Sequence, residues 1–297
     1  MKQKMQSSSM LLIATIIWGS SFVSQSIAMS HMGPFTFQAI RCGLAVIALI
    51  PLIAIFDRLQ GGRFLKRWKD KRLWKAGLLC GIPLFFAVNL QQLGLVDVDP
   101  GKSAFLTAMY IVIVPIIGIF RKKKPSIMIP VSVVLAVVGL YFLSCVGVKS
   151  ISTGDLLLLG CALMFAVQIV FVDKYAQCVD ALRLNTIQSL ICMILSSLVM
   201  LFTETPTMEG INACWLPLIH VGVLSMGVSY SLQIIGQKNL EPSTASLIMS
   251  MESVFAVLFN WIITGTLLNS NEATGCVLVF VAVILSQLPE KVKTSPN

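Results

Sequence analysis

Residues 241–265 read EPSTASLIMSMESVFAVLFNWIITG, and residues 99–120 read DPGKSAFLTAMYIVIVPIIGIF. Each stretch opens on an acid followed by proline and then runs apolar for about twenty residues, enough for a helix to cross ~30 Å of hydrocarbon. Proline at a first helical position loses no hydrogen bond, and the acid beside it meets the positive end of the helix dipole. The two stretches also overlay. A shift of 142 brings Gln91 onto Gln233, Gly94 onto Gly236, Asp99 onto Glu241, Pro100 onto Pro242 and Met109 onto Met251, and it sets Tyr110 on Glu252. A shift of 147 lays Trp18-Gly19 and Phe22-Val23 over Phe165-Ala166 and Ile169-Val170.

Working outward, the whole chain reads the same way. Its 297 residues are 56% hydrophobic and 12% charged, with a mean hydropathy of +0.87, more apolar surface than a soluble core of this length can hide. Polar breaks divide it into spans near 10–29, 34–56, 74–96, 101–120, 127–146, 155–174, 184–203, 214–236, 242–264 and 273–288. The first of these is too long for a signal-peptide core, and no small-x-small cleavage site follows it. The expected fold is therefore an all-α integral membrane protein of ten transmembrane helices. The shifts predict two halves of five helices each, 1–150 and 151–297. Because five is odd, the second half enters the membrane inverted, the plan of many secondary transporters.

The charges orient this plan. Of the 22 lysines and arginines, all but Arg41, Lys102 and Lys149 fall at the N-terminus, in every second loop, or in the C-terminal tail. Positive charge stays on the cytoplasmic side, so both termini are expected in the cytoplasm of a cell-membrane protein. The segment from Arg58 to Lys75 and the run Arg121-Lys122-Lys123-Lys124 are the richest such loops; they set topology or hold acidic lipid. The net charge of +9 thus has an explanation other than nucleic acid. The eight cysteines (42, 80, 145, 161, 178, 192, 214 and 276) form no CxxC pair, and the two histidines, His31 and His220, have no metal-ligand spacing. There is no GxSxG, HExxH or Walker motif, so neither an enzyme nor an ATP-driven pump is expected, and no cofactor.

Glu252 stands out. Ten steps of ~1.5 Å from Pro242 place its carboxyl ~15 Å deep, where a charge costs ~2.5–3.5 kcal/mol and faces the protein interior or a wet cavity. It is a candidate proton carrier or partner for a substrate ammonium; the alternative is an interhelical hydrogen bond. Tyr110, its repeat mate, would face the same central space. Arg41, about 10 Å into its span, would snorkel, pair with an acid or a helix C-terminus, or grip a substrate carboxylate. Asn89, Gln91, Gln92, Tyr230, Gln233, Gln237, Gln25 and Gln168 either tie helices together or line a polar cavity. Trp18, Phe85, Phe86 and Phe105 are candidate apolar walls or ordinary packing groups. The binding or coupling candidates are Glu252, Tyr110, Gln233, Asn89, Trp18, Gln25, Gln168 and Arg41.

WGSSFV (18–23), FQAIRCGLA (37–45), KSAFLTAMYIVIVPIIGIF (102–120) and the 241–265 stretch together resemble the drug/metabolite transporter superfamily, EamA type. The resemblance covers essentially the whole chain. It implies a carrier, often an exporter, of amino acids, other metabolites or drug-like compounds, with a central cavity between spans one, three, four, six, eight and nine. The expected partners are a small-molecule substrate, the lipid bilayer and, through Glu252, coupled protons; the closed two-repeat design points to a monomer, with a homodimer as the alternative. This chain departs from the family in having Ser253, not proline, after Glu252, and Thr266 where a second acid is common. The rival expectation is a membrane-embedded sensor or scaffold that keeps the fold without transport.

Overall fold

A computed structural model describes residues 2–61, 64–120, 128–144, 151–265 and 269–288. The Arg121–Lys124 run, Cys145, Lys149, Thr266 and the basic C-terminal tail lie outside the described residues. Those described form helices joined by short turns, with no strand among them.

The elements are α1 (Lys2–Met29), α2 (Pro34–Leu59), α3 (Phe64–Trp68), α4 (Lys71–Asp97), α5 (Pro100–Ala108), α6 (Tyr110–Phe120), α7 (Met128–Ser144) and α8 (Thr153–Tyr175). They continue with α9 (Ala181–Thr203), α10 (Met208–Ala213), α11 (Trp215–Ile219), a π-wound segment (His220–Ser229), α12 (Tyr230–Gln237), α13 (Pro242–Met249), α14 (Met251–Thr264) and α15 (Ser270–Ser286). Eight helical stretches among these are long and apolar enough to cross a membrane, and α7 and α15 are shorter apolar helices.

The boundaries follow local chemistry. Asp99 and Glu241 sit just before Pro100 and Pro242, the first residues of α5 and α13. Ser152 and Asp155 form a capping box on α8, Asn269 and Glu272 form another on α15, and the Asp180 carboxylate accepts the Arg183 N–H at the start of α9. The first helix runs from Lys2, ahead of the apolar run that starts near residue 10, because nothing in KQKMQSSS caps or breaks it. Within the fourth and ninth spans α5 meets α6 at Met109 and α13 meets α14 at Ser250, where the backbone tightens into i→i+3 hydrogen bonds.

Packing pairs α4 with α8, α7 with α15, α2 with α9, and α1 with both the α11–α12 run and α13–α14. Glycines set two of these crossings. A Cβ on Gly94 of α4 would lie 3.0 Å from the Gly154 carbonyl of α8, and one on Gly236 of α12 would lie 3.0 Å from the Ser7 carbonyl of α1. The outer surface carries side chains such as Phe120 and Phe202, 83% and 88% exposed, which only a bilayer solvates favourably. The Ser8 hydroxyl donates to Gln287 Oε1 at 2.9 Å, so the start of α1 and the end of α15 share one face, termed here the terminal face.

Candidate functional site

On α1, Trp18, Ser21, Phe22 and Gln25 fall at helical spacing on one stripe. That stripe walls a narrow central cavity, with about 30 Å³ of room for the centre of a water-sized sphere. Facing it are Gln91 of α4, Tyr110 at the start of α6, Phe165 and Ile169 of α8, Tyr230 and Gln233 of α12, Met249 and Glu252 beside the Ser250 break, and Arg41 of α2. The lining comes from spans one, three, four, six, eight and nine, with a single addition from span two.

The two helix breaks aim the central pair. Tyr110 is the first residue beyond the Met109 break and Glu252 the second beyond Ser250, and the Tyr110 hydroxyl donates to Glu252 Oε1 at 3.0 Å. Side chains that coincide under the 142-residue shift therefore touch. Glu252 is only 6% exposed, and no described lysine, arginine or histidine forms an ion pair with it. Tyr110 also meets the Phe165 ring edge-on at 6.4 Å, as Trp18 does the Tyr230 ring at 5.1 Å, fixing both side chains in the wall.

Arg41 supplies the opposite charge. It is 2% exposed, and its Nη1 and Nη2 donate to Gln25 Oε1 at 3.3 Å and Ser225 Oγ at 2.9 Å. Among the described residues its Nε has no partner, and no acid lies within ion-pairing distance. Arg41 neither snorkels nor pairs with a carboxylate, two of the alternatives open from sequence. Trp18 Nε1 and Gln233 Oε1 are likewise buried without a protein partner on this cavity. Buried polar atoms are ordinarily satisfied, so three orphans around one space leave hydrogen-bonding capacity for a guest.

Behind the lining runs a chain of amides. Gln233 Nε2 donates to Gln168 Oε1 at 3.1 Å, Gln168 Nε2 to Gln188 Oε1 at 3.4 Å, and Gln188 Nε2 to Asn185 Oδ1 at 2.9 Å. Asn185 Nδ2 in turn reaches the Met226 and Gly227 carbonyls at 3.0 and 2.9 Å and Ser231 Oγ at 2.9 Å, gripping the π-wound segment. Neither Asn185 nor Ser225 was singled out from sequence; two glycines and two serines in residues 222–229 are the faint signal of irregular winding there.

The candidates thus separate. Glu252, Tyr110, Gln233, Trp18, Gln25 and Arg41 meet at the cavity. Gln168 stands one layer back, and Asn89 donates to the Phe85 carbonyl and to Ser196 Oγ at 3.0 Å, tying α4 to α9. Phe85, Phe86 and Phe105 are not in the wall; Phe22 and Phe165 are. His220 is bracketed by Ser20 Oγ at 3.2 Å and Ser24 Oγ at 2.9 Å, and the described residues contain no cluster of metal-ligating side chains.

Comparison with known proteins gives a consistent picture. Residues 6–145 and 152–288 match the model of the EamA-like transporter family. A protein of Archaeoglobus fulgidus described as an uncharacterized transporter is 32% identical over 94% of this chain and 84% of its own length. A second, the uncharacterized transporter YoaV of Bacillus subtilis, is 22% identical over 93% and 94%. A solved crystal structure superposes with a TM-score of 0.80 over 98% of this chain and 99% of that one, at 15% identity, which speaks for the fold.

Proposed function

The chain belongs to the EamA-like transporter family, and from that premise we propose that it is a secondary carrier which exports a small organic solute through the central cavity by alternating access. On this account its halves, 1–150 and 151–297, are inverted five-helix repeats, both termini are cytoplasmic, and the cavity lies near the bilayer midplane. Two features favour the repeat: the two family matches divide at the same place, and helix pairings come in related sets, with α4–α8 answered by α1 against the α11–α12 run.

The observation that carries the function is the pairing of unspent groups across one cavity: among the described residues the Arg41 guanidinium has no acid, and the Glu252 carboxyl meets only a tyrosine hydroxyl. A guanidinium offers two parallel hydrogen bonds to a carboxylate, and a carboxylate accepts an ammonium. The cargo that spends both is a small molecule with an acid and an amine, its apolar part against Trp18, Phe165, Ile169 and Met249. Amino acids and amphipathic drug-like compounds meet that description. Glu252 also serves as the proton-coupling group, releasing the site when it is protonated.

Thermal unfolding of the purified protein in a panel of amino acids, monocarboxylates and primary amines tests this. Binding to the folded state alone stabilises by RT ln(1 + [L]/Kd), about 2.7 kcal/mol at a hundredfold excess over Kd. Zwitterions are expected to raise the unfolding temperature more than either half-molecule, and the gain is expected to vanish in Arg41→Gln. Equal stabilisation by the amine alone would remove Arg41 from the site.

A further inference from the structure

Helices α2 and α9 run antiparallel in contact along their length, and each end carries a polar clasp. At the terminal face, Arg183 Nη2 donates to Asp57 Oδ2, joining the start of α9 to the end of α2 with both side chains buried. Arg67 Nη1 approaches Asp57 Oδ1 at 3.4 Å, Asp180 Oδ1 lies 3.5 Å from Arg183 Nη1, and the Arg183 guanidinium rests over the Trp68 ring at 5.5 Å. At the opposite face, Glu204, immediately beyond α9, accepts the backbone N–H groups of Phe35 and Thr36 at 2.9 and 2.7 Å and the Thr36 hydroxyl at 2.6 Å. A carboxylate is thereby seated on the positive end of α2. Between the clasps, Gly43 faces Met193, so that even a methyl group on Gly43 would lie 3.3 Å from its sulfur.

The two clasps occupy corresponding places. Thr36 and Arg183 are 147 positions apart, as are Asp57 and Glu204, the same shift that overlays the first and sixth spans. One clasp is an ion pair and the other a carboxylate on amides and a hydroxyl, yet each joins an acid at one helix's end to the start of its neighbour.

We propose that α2 and α9 form a fixed spine, clasped at both faces throughout the transport cycle, and that the cavity-lining helices move against it. This rests on the alternating-access reading above. Both clasps are closed at once here, as a fixed spine requires. Neither lies on the cavity, α9 contributes nothing to its lining, and α2 contributes only Arg41. Opening the terminal-face clasp in each cycle would strand two buried charges. The elements that do line the cavity hold the irregular backbone suited to bending: the breaks at Met109 and Ser250, and the π-wound segment continuous with α12. Thr36, Asp57, Arg183 and Glu204 are thus positioning residues.

The test locks both ends and asks whether the cavity still opens to both sides. In the full-length protein carrying Cys145→Ser, Cys178→Ser and Cys276→Ser, cysteine pairs replace Thr36 with Glu204 and Asp57 with Arg183, and Ser21→Cys reports from the cavity. Sealed vesicles are exposed to a membrane-impermeant maleimide from either side, before and after the paired cysteines are oxidised. The spine predicts labelling from both sides, with rates changed less than twofold by oxidation. Loss of labelling from the side whose clasp is locked would make that clasp a gate and overturn the proposal. If the unlocked protein labels from one side only, alternating access itself fails, and the spine's role with it. Should the paired variants not fold, Asp57→Arg with Arg183→Asp is the second measurement: the exchanged pair is expected to recover most of the thermal stability lost in either single change while the two-sided labelling ratio stays constant throughout. A ratio that shifts whenever the clasp is weakened would refute the spine.

Discussion

Replacing Tyr110 with phenylalanine removes one oxygen and leaves the ring against Phe165 in place. The deleted hydroxyl is the donor to Glu252 Oε1 at 3.0 Å, inside a cavity that offers the carboxyl no described cationic partner. A hydrogen bond between neutral groups contributes about 0.5–1.5 kcal/mol net, and one to a charged group about 1.5–3 kcal/mol. The size of the loss therefore reports whether Glu252 is ionised in the folded protein. A double-mutant cycle isolates it: Tyr110→Phe, Glu252→Met, which removes the acceptor at similar volume, and the two combined, each unfolded by denaturant in the same detergent. A coupling of about 1.5 kcal/mol or more indicates a carboxylate, and one near 1 kcal/mol a carboxylic acid. Additivity within about 0.5 kcal/mol would mean that the pair does not interact, and the central geometry would be wrong.

Three further outcomes are expected. Arg41→Lys keeps the charge but loses the planar fork, so the apparent Kd for carboxylate-bearing ligands should rise about tenfold or more, read by ligand-induced shifts in unfolding temperature; an unchanged Kd would place the carboxylate elsewhere. Asn185→Ala strips the Met226 and Gly227 carbonyls and Ser231 of a shared donor and should cost about 1–3 kcal/mol by denaturant unfolding, while a cost near zero would mean that the π-wound segment holds its shape without it. Gly94→Ala and Gly236→Ala press a methyl to 3.0 Å from a backbone carbonyl on the facing helix and should each destabilise by about 1–3 kcal/mol, whereas Gly118→Ala meets nothing within 4 Å and should be near neutral.

What the sequence reveals depends on the range of the signal. Apolar runs and Asp-Pro and Glu-Pro starts are local, and they place the spans within a few residues, apart from α1, where the helix outruns the apolar window. The 142-residue shift carries a long-range fact at one position, since Tyr110 and Glu252, which it superposes, are hydrogen-bonded. Arg41 shows the opposite case: its depth is readable, but whether an acid waits beside it depends on six other helices. Asn89 and Gln25 look alike in sequence, and only the rotation of α4 turns one toward Ser196 while α1 turns the other into the cavity. The helices α3 and α10 are not legible in the sequence because five or six residues carry too little periodicity to register. The clasp between Glu204 and the start of α2 is invisible for a related reason, because a carboxylate bound to backbone N–H groups needs no particular residue type opposite it.

The most direct test of the carrier account is uptake of labelled amino acids and small amines by proteoliposomes holding the wild-type protein or Glu252→Gln, with and without a pH gradient. Saturable uptake by the wild type that responds to the gradient, and loss of that response in Glu252→Gln, is the predicted result. Uptake by the variant that matches the wild type in rate and in response to the gradient would contradict it.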